Sequence, residues 1–256
     1  MAGRLAGKTA LVTGATGSLG GEIARAFAAE GASVAGSGRD AGRGAALVAE
    51  LEAAGGRALF LEADLDGSAA ASRDLAARAT EGLGGRVDIL VNNAGIFPGD
   101  STPDTDEATF DRVYGVNVKA PFFLVATLAP AMAERGDGAI VNLGSWVARL
   151  GLPMGALYAS TKGALETLTR AWAAEFGPRG VRVNTISPGT MQPADGGSIA
   201  EVMMAGTPAS IPGPPEAIGA AAVYLASDEA RFVHAATFDV DGGRVNAAVV
   251  EGGHFG

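Results

Sequence analysis

A tyrosine and a lysine four positions apart, Tyr158 and Lys162, are the residues whose types and spacing most directly indicate chemistry. On a helix this spacing puts both side chains on one face, about 6 Å apart along the axis. A phenol has an ordinary pKa of about 10, and a nearby ammonium favours the phenolate and lowers that pKa. The pair predicts a tyrosine that acts as a general acid or base near neutral pH. The same spacing also occurs in ordinary helices without any chemical role.

The elements that must position this pair alternate between short β-rich runs and longer helical patterns. Continuous apolar strands are typical of a parallel sheet that is covered on both faces. With right-handed crossovers they predict an α/β fold, a doubly wound parallel sheet of the Rossmann type with helices on both faces. No long linker and no repeat interrupts the pattern, so residues 1–256 are predicted to form a single domain.

The boundaries of these elements follow from the apolar pattern and its punctuation by glycine and proline. The predicted strands are Thr9–Thr13, Ser33–Ser37, Ala58–Leu61, Asp88–Val91, Ala139–Leu143, Val181–Ile186 and Thr237–Val240. The predicted helices are Leu19–Ala29, Ala41–Ala54, Ser68–Thr80, Thr105–Ala133 and Met154–Phe176.

A glycine-rich turn, TGATGSLG over residues 13–20, follows the first strand and opens the first helix. Glycines let the backbone approach a pyrophosphate, and the helix start offers free N–H groups and a positive dipole end. The turn therefore predicts a dinucleotide site. Close packing of helix on strand is the other reason for such glycines.

The end of the second strand discriminates between two dinucleotides. An acid there would bind the ribose hydroxyls of NAD, whereas this chain has Gly38 followed by Arg39 and Asp40. Because a guanidinium pairs with a 2′-phosphate, the sequence favours NADP(H) over NAD(H). Arg39 is alternatively a solvated charge at a helix start with Asp40 as its N-cap. Asp40 is itself the NAD-type acid if the strand is shifted.

Composition and charge argue against several classes of protein. The chain has 256 residues, no cysteine and a net charge of −9. Without cysteine there are no disulfides and no thiolate metal sites, and the two histidines, His234 and His254, suggest no metal site. An acidic protein is a poor candidate for binding nucleic acid or anionic membranes, because both require clustered lysine and arginine. With no signal-peptide pattern, we expect a cytoplasmic protein.

The segment Pro188–Pro215, rich in glycine, proline, methionine and alanine, predicts a lid after the sixth strand. No lysine or arginine occurs between Arg182 and Arg231, so an anionic substrate would lack a local cation there. We expect an apolar lid from Met191, Ile199, Met203, Met204 and Ile211 and further pocket residues from Phe97, Trp146 and Met154. The same residues would also suit internal packing or a subunit contact.

Several further motifs, in order along the chain, make this sequence resemble the short-chain dehydrogenase/reductase family over essentially its whole length. After the glycine turn they are Asp64-Leu65, Asn92-Asn93-Ala94-Gly95, Asn117, Ser145, Tyr158, Lys162, Pro188-Gly189 and Val240-Asp241-Gly242-Gly243. The resemblance implies an NAD(P)-dependent oxidoreductase that moves a hydride between the cofactor and a carbonyl or secondary alcohol. It also implies a homodimer or homotetramer packed through the two long helices.

The resemblance assigns a role to each matching residue. Tyr158 would exchange a proton with the substrate oxygen, which Ser145 would also bind. Lys162 would hold the nicotinamide ribose and lower the Tyr158 pKa, and Asn117 would anchor a water next to Lys162. Asp64 and Leu65 would frame the adenine. The remaining predicted cofactor contacts are Gly14, Thr16, Gly17, Ser18, Leu19, Gly20, Arg39, Asn93, Ala94, Gly95, Pro188, Gly189 and Thr190. The predicted substrate pocket is Ser145, Trp146, Met154 and Met191.

The chain departs from the family pattern at three places. Ser18 stands where a third glycine is usual, and it would cap the helix, contact the phosphate or crowd it. Pro193 stands where a threonine often meets the nicotinamide amide, so Thr190 or Gln192 would have to replace it. His234-Ala235 stands where a Thr-Gly pair commonly precedes the last strand.

Three functions are compatible with these residues. The first is the reduction or oxidation of a neutral, largely apolar carbonyl or alcohol. The second is a nucleotide-sugar epimerase or dehydratase, for which the chain is short and the lid lacks cations. The third is a dinucleotide-binding regulator with weak or no turnover, which has no need to retain Asn117, Ser145, Tyr158 and Lys162 together.

Overall fold

The computed structural model describes residues 3–192 and 198–247. Seven parallel strands form one sheet in the order β3-β2-β1-β4-β5-β6-β7. The strands are β1 (Thr9–Thr13), β2 (Ser33–Gly38), β3 (Arg57–Glu62), β4 (Ile89–Asn92), β5 (Gly138–Leu143), β6 (Val181–Pro188) and β7 (Thr237–Val240). The predicted doubly wound parallel sheet is therefore confirmed. The strand order reverses between β1 and β4, which is where such sheets open a crevice at their carboxyl edge.

Helices cover both faces of the sheet and enclose one apolar layer on each. They are α1 (Ser18–Ala29), α2 (Ala41–Ala53), α3 (Ala69–Gly82), α4 (Glu107–Tyr114), α5 (Ala120–Arg135), α6 (Ala156–Phe176), α7 (Ser198–Met204) and α8 (Pro215–Ala226). Phe27 of α1 and Ile218 of α8 are fully buried on one face, and Leu75 of α3 and Leu124 of α5 on the other. Each such side chain contributes about 1.5–3 kcal/mol by leaving water, so both faces hold the sheet in place.

The long helix predicted over Thr105–Ala133 is present but is not regular α-helix throughout. It begins at Glu107, because the Asp106 carboxylate accepts a hydrogen bond from Thr109 N at 2.7 Å and caps α4. Between α4 and α5 the chain makes a π-helical turn, Gly115–Lys119. Gly115 faces Gly67 so closely that a Cβ on Gly67 would lie 2.4 Å from Gly115 Cα. This contact lies beyond the reach of a local sequence pattern, so the turn was not predicted.

The apolar run Glu107–Arg135 would be long enough to cross a membrane by length and composition alone. Half of its most apolar window is buried within the protein, and α5 packs against α3, β4 and β5. This is the arrangement of a core helix.

The second long helix and the segment after β6 also differ from their predictions, while the remaining predicted elements differ by no more than two residues at their ends. The second long helix begins at Ala156 rather than Met154, because Gly155 has a left-handed φ of +75° and ends the preceding loop. The predicted irregular segment Pro188–Pro215 contains α7, and its Pro193 lies outside the described residues. Its role as a lid stays a prediction.

Candidate active site

A cleft lies at the carboxyl edge of the sheet, where β1, β4, β5 and β6 end. It consists of two adjoining cavities of about 710 Å³ and about 210 Å³. Both cavities are lined by Leu19, Asn93, Gly95 and Ile96, so they form one elongated site. An extended ligand could therefore run from one cavity into the other.

The larger cavity is lined by the predicted dinucleotide residues. They are Gly14, Thr16, Gly17, Ser18, Leu19, Gly20, Arg39, Asp64, Leu65, Asn93, Ala94 and Gly95. Gly14 has a left-handed φ of +65°, and a Cβ on Gly20 would lie 2.2 Å from Gly14 O. The glycine turn thus brings the start of α1 against β1, with its free N–H groups at the cavity wall.

Ser18 is the first residue of α1 and is exposed. Gly17 is the N-cap residue and α1 has no side-chain cap. The alternative in which Ser18 caps the helix is therefore wrong. Its position on the wall of the larger cavity leaves a phosphate contact open.

Asn93 joins the end of β4 to the end of β1. Its side-chain amide donates to Thr13 O at 2.9 Å and to Gly14 O at 3.2 Å. The Thr13 hydroxyl in turn accepts from Asn93 N and Ala94 N, both at 3.0 Å. These bonds fix the spacing of the two strands between which the cleft opens.

The charges at the end of β2 are now placed. Arg39 and Arg43 both line the larger cavity, and Arg43 also donates to Thr16 O. Asp40 accepts a hydrogen bond from Arg43 N at 2.9 Å and is the N-cap of α2. The carboxylate of Asp40 is therefore engaged by the start of α2, and Asp40 is not among the described residues that line the larger cavity. Arg43, in the first turn of α2, was not among the predicted cofactor residues.

The predicted acid–base residues converge on the smaller cavity. Ser145 follows β5, while Tyr158 and Lys162 lie on the first turns of α6, and all three line this cavity. Lys162 is 4% exposed, and its Nζ donates to Leu143 O at 2.7 Å. The same Nζ lies 5.4 Å from the centre of the Tyr158 ring.

The pKa of Tyr158 does not shift in the direction that the sequence predicted. Burial raises the Tyr158 pKa above its ordinary value, and a hydrogen bond with Ser145 offsets part of that rise. Burial also lowers the pKa of Lys162 from 10.5 to about 8. In the protein alone, loss of solvation is therefore the largest cause of the pKa shift of both groups.

Asn117 lies in the π-helical turn and is 1% exposed. Its Oδ1 accepts from Ile96 N at 2.9 Å, and its Nδ2 donates to Ile96 O at 3.0 Å and to Thr161 Oγ1 at 3.1 Å. The side chain therefore joins the loop after β4 to α6, next to Lys162. A π-helical turn often occurs at a functional site.

The predicted substrate-pocket residues are only partly brought together. Ser145 and Met191 line the smaller cavity, together with Pro188 and Gly189. Trp146 does not; it is 5% exposed and packs under Arg244, whose Cζ lies 5.0 Å from its ring. Met154 is 50% exposed and is also outside the lining, although it lies close to Phe97.

The residues predicted to form an apolar lid do not lie together over the cleft. Met204 is 1% exposed and packs against the loop after β7, where a Cβ on Gly242 would lie 2.8 Å from Met204 Cε. Ile199 and Ile211 are mostly exposed. Of this set, Met191 alone is found on the cavity wall within the described residues.

The sequence did not reveal a buried polar chain that crosses the sheet under the cleft. Asn92 Nδ2 donates to Asn142 Oδ1, and Asn142 Nδ2 donates to Thr169 Oγ1, both at 2.8 Å. Thr169 lies 2.7 Å from Thr185, Oγ1 to Oγ1. These bonds tie β4, β5, α6 and β6 together beneath Ser145.

The cleft fits a nicotinamide dinucleotide. Its larger cavity has a glycine turn, a helix start and two guanidiniums for phosphates, and its smaller cavity holds the acid–base residues. Thr190, beside Gly189, has a buried Oγ1 with no hydrogen-bond partner among the described residues. Since buried hydroxyls are normally satisfied, this atom suits an amide group supplied by a ligand.

Known proteins share this arrangement. The family model described as Enoyl-(Acyl carrier protein) reductase matches residues 14–244. A solved structure of a short-chain dehydrogenase/reductase family protein is 46% identical with a TM-score of 0.86, over 95% of this chain and 100% of that one. The chain belongs to the short-chain dehydrogenase/reductase family.

Other members of the family agree in size and in chemistry. A galactitol 2-dehydrogenase (L-tagatose-forming) of Cereibacter sphaeroides is 40% identical, over 94% of this chain and 96% of its own. The 2,5-dichloro-2,5-cyclohexadiene-1,4-diol dehydrogenase LinX of Sphingobium indicum is 37% identical, over 95% and 98%. A blue fluorescent protein from a metagenomic library, solved with NADPH, is 35% identical with a TM-score of 0.87, over 94% and 99%. This short-chain dehydrogenase/reductase is thus an NAD(P)-dependent oxidoreductase that acts on CH–OH or C=O groups.

Proposed function

We propose that this enzyme moves a hydride between NADP(H) and a neutral, largely apolar carbonyl or secondary alcohol, with Tyr158 as its acid–base. The observation that carries the proposal is the convergence of Ser145, Tyr158 and Lys162 on the smaller cavity, next to a cavity that fits a dinucleotide. The nicotinamide, when bound, supplies or accepts the hydride. Every other step falls to the side chains of this chain.

Each of these side chains has a defined part in moving the proton. In reduction the Tyr158 hydroxyl donates its proton to the substrate oxygen, and in oxidation the phenolate accepts it. The Ser145 hydroxyl holds that oxygen in place. Lys162, held by Leu143 O, favours the phenolate as charge develops, and Asn117 positions the segment beside it. Pro188 and Gly189 line the smaller cavity, which would take the nicotinamide. The buried Oγ1 of the neighbouring Thr190 would bind the nicotinamide amide.

Replacement of the phenol tests the mechanism directly. Tyr158→Phe removes the exchangeable proton and keeps the ring, so we expect ketone reduction by NADPH to fall by at least about 100-fold, the usual contribution of an acid–base group. Absorbance of reduced nicotinamide gives the rate, and titration gives the NADPH affinity, which should stay close to that of the wild type. Full activity in Tyr158→Phe would refute the mechanism.

The two rival functions have less support. A regulator would bind NADPH tightly without turnover, yet Asn117, Ser145, Tyr158 and Lys162 are all retained around the cleft. An epimerase or dehydratase of nucleotide sugars would need cations for a diphosphate, and Lys162 is the one charged residue on the described wall of the smaller cavity. Tight NADPH binding with no turnover of any carbonyl would favour the regulator.

The preference for NADP(H) rests on the end of β2. Arg39 and Arg43 border the larger cavity there, and the carboxylate of Asp40 is turned toward the start of α2. Two guanidiniums can bind a 2′-phosphate, whereas the ribose hydroxyls of NAD would meet no acid from β2. The relative solved with NADPH is consistent with this choice.

Variants of the two arginines test the cofactor preference. We expect Arg39→Ala and Arg43→Ala each to lower kcat/KM for NADPH about 10-fold or more, since a hydrogen bond to a charged group contributes about 1.5–3 kcal/mol. The values for NADH should change little. Arg231→Ala, at an exposed side chain that lines neither cavity, is the matched control. An unchanged ratio of NADPH to NADH in the double variant would contradict the proposal.

A neutral substrate is supported by the walls of the smaller cavity. Residues 183–230 contain no lysine or arginine, and Lys162 already donates to Leu143 O. A panel in which ketones with a carboxylate or phosphate are reduced best would refute this part of the proposal.

A homodimer or homotetramer is supported by aromatic side chains on the outer face of the long helices. Phe110 and Phe122 are 47% and 43% exposed, and Phe122 lies 6.1 Å from Trp172 of α6, ring centre to ring centre. Exposed aromatic clusters of this kind often mark subunit contacts. The cytoplasmic location stays a prediction from the sequence.

A further inference from the structure

Phe97, in the loop after β4, presents an unusually exposed ring beside the predicted catalytic tyrosine. It is 55% exposed, and its ring centre lies 4.9 Å from that of Tyr158 with the planes tilted by 57°. Phe97 also lines the smaller cavity. Its ring is therefore apolar surface that a ligand in this cavity would cover.

The surrounding backbone makes room for this ring. Gly155 has a φ of +75°, and a Cβ there would lie 2.8 Å from Phe97 Cε2. Gly155 N also donates to Asp100 O at 3.3 Å, which ties the start of α6 to the loop of Phe97. Contacts within the protein thus fix the position of the Phe97 ring, and the ring face that makes no such contact is exposed to solvent.

The cavity separates polar from apolar groups. The hydroxyls of Ser145 and Tyr158 bind the reacting oxygen, while Phe97 and Met191 offer apolar surface. Once the reacting carbon is held at Tyr158, a substituent one or two bonds away comes within reach of Phe97, because the two rings are in contact. Paired aromatic rings favour centre distances of 4.5–7 Å and gain about 2- to 12-fold in binding beyond buried area.

We infer that Phe97 determines specificity, and that it selects carbonyl compounds and alcohols that carry a planar ring one or two bonds from the reacting carbon. This inference rests on the proposed function. An open-chain substrate covers Phe97 less well, since a flexible chain must lose conformational freedom to lie along a flat ring.

Two methyl ketones of nine carbons, phenylacetone and 2-nonanone, provide a matched test with NADPH as reductant. We expect wild-type kcat/KM to favour phenylacetone by about 10-fold, the upper part of the aromatic-pair range. Phe97→Leu should bring the ratio near one, and Phe97→Tyr, which keeps the ring, should preserve most of it. Phe232→Leu, at a side chain that is 98% exposed, is the control and should leave the ratio unchanged.

The outcomes separate this inference from the proposed function. A wild type that prefers 2-nonanone, or a Phe97→Leu variant that keeps the wild-type ratio, would overturn the role of Phe97 alone. If neither ketone is reduced while another neutral carbonyl is, the role of Phe97 is overturned and the proposed function stands. If no carbonyl is reduced, both proposals are overturned. The thermal midpoint and NADPH affinity of each variant show that a changed ratio does not come from misfolding, and Phe97→Tyr supplies a second reading if Phe97→Leu is unstable.

Discussion

Lys162 is held in the protein at a cost to stability. It is 4% exposed, its pKa falls to about 8 because of burial, and it forms no salt bridge within the described residues. Between pH 8 and its ordinary pKa of 10.5 the native state binds fewer protons than the unfolded state. The free energy of unfolding therefore rises with pH in this window. Below pH 8 the whole cost is present.

We predict that Lys162→Met, measured without cofactor, lacks this rise. Relative to the variant, the wild type should gain up to about 3 kcal/mol of stability from pH 8 to 10.5, at about 1.4 kcal/mol per tenfold change in protonation. Urea unfolding at several pH values measures the difference. Lys8→Met, at an exposed ion pair with Asp137, is the control. Parallel curves for the wild type and Lys162→Met would contradict the lowered pKa.

At the residue scale, the sequence predicted which side chains form the site better than it predicted their pKa values. The spacing of Tyr158 and Lys162 could be found in the sequence because it is a local motif, whereas Ser145 and Asn117 were assigned through the resemblance to the family. The rise in the Tyr158 pKa could not be predicted, since it depends on how deeply Phe97 and the cleft bury the phenol. Trp146 was assigned to the pocket from its position beside Ser145, but its ring packs against Arg244 and does not line the described cavity wall, and this long-range contact is not visible in the sequence.

The loop after β5 carries Ser145, and Arg149 ties it to β6 and β7. Arg149 donates to Asp239 Oδ2 at 3.0 Å and to Ser187 Oγ at 3.1 Å. Its Nε also lies 3.7 Å from Glu166 Oε1, a buried carboxylate of α6. The loop is thus held from three elements around the cleft.

We predict that Arg149→Met loosens this loop. It leaves two acids in poor contact with water, so we expect a loss of about 2 kcal/mol in stability, less than for a fully buried pair because Arg149 is partly exposed. We also expect a lower kcat with little change in NADPH affinity, since Ser145 loses its support. Arg78→Met, from the exposed pair with Asp74, should cost at most about 0.5 kcal/mol. Equal losses of stability in Arg149→Met and Arg78→Met would refute the proposal that Arg149 holds this loop.

The strands were predicted better than the helices, among which α8 was not predicted at all. All seven strands lie within a few residues of their predicted positions, because each is an apolar run closed by a turn. The π-helical turn in the long helix was not predicted, since Gly115 at its start packs against Gly67, which is far away in the sequence. α7 was missed because its seven residues are too few for a helical period to stand out.

At the scale of the whole molecule, we predict an oligomer that depends on the outer face of α5 and α6. Phe122→Glu should reduce the mass measured by light scattering, because a charge at this aromatic cluster would be buried without a partner. Val202→Glu, on α7 and 75% exposed, should leave the mass unchanged. A wild-type monomer, or an unchanged mass in Phe122→Glu, would contradict the proposed interface.

The π-helical turn also divides the long helix into two segments, α4 and α5, whose apolar faces point in different directions around the helix axis. One extra residue in a helix rotates everything after it by about 100°, given 3.6 residues per turn. Before the turn, Val113 faces the interior, and after it Leu124 and Leu128 face the sheet. If the turn relaxed to regular α-helix, one of these two apolar stripes would face solvent. Asn117 lies inside the turn and is hydrogen-bonded to Ile96 and Thr161 outside it. These bonds hold the turn in place, so that the apolar faces of both α4 and α5 stay buried.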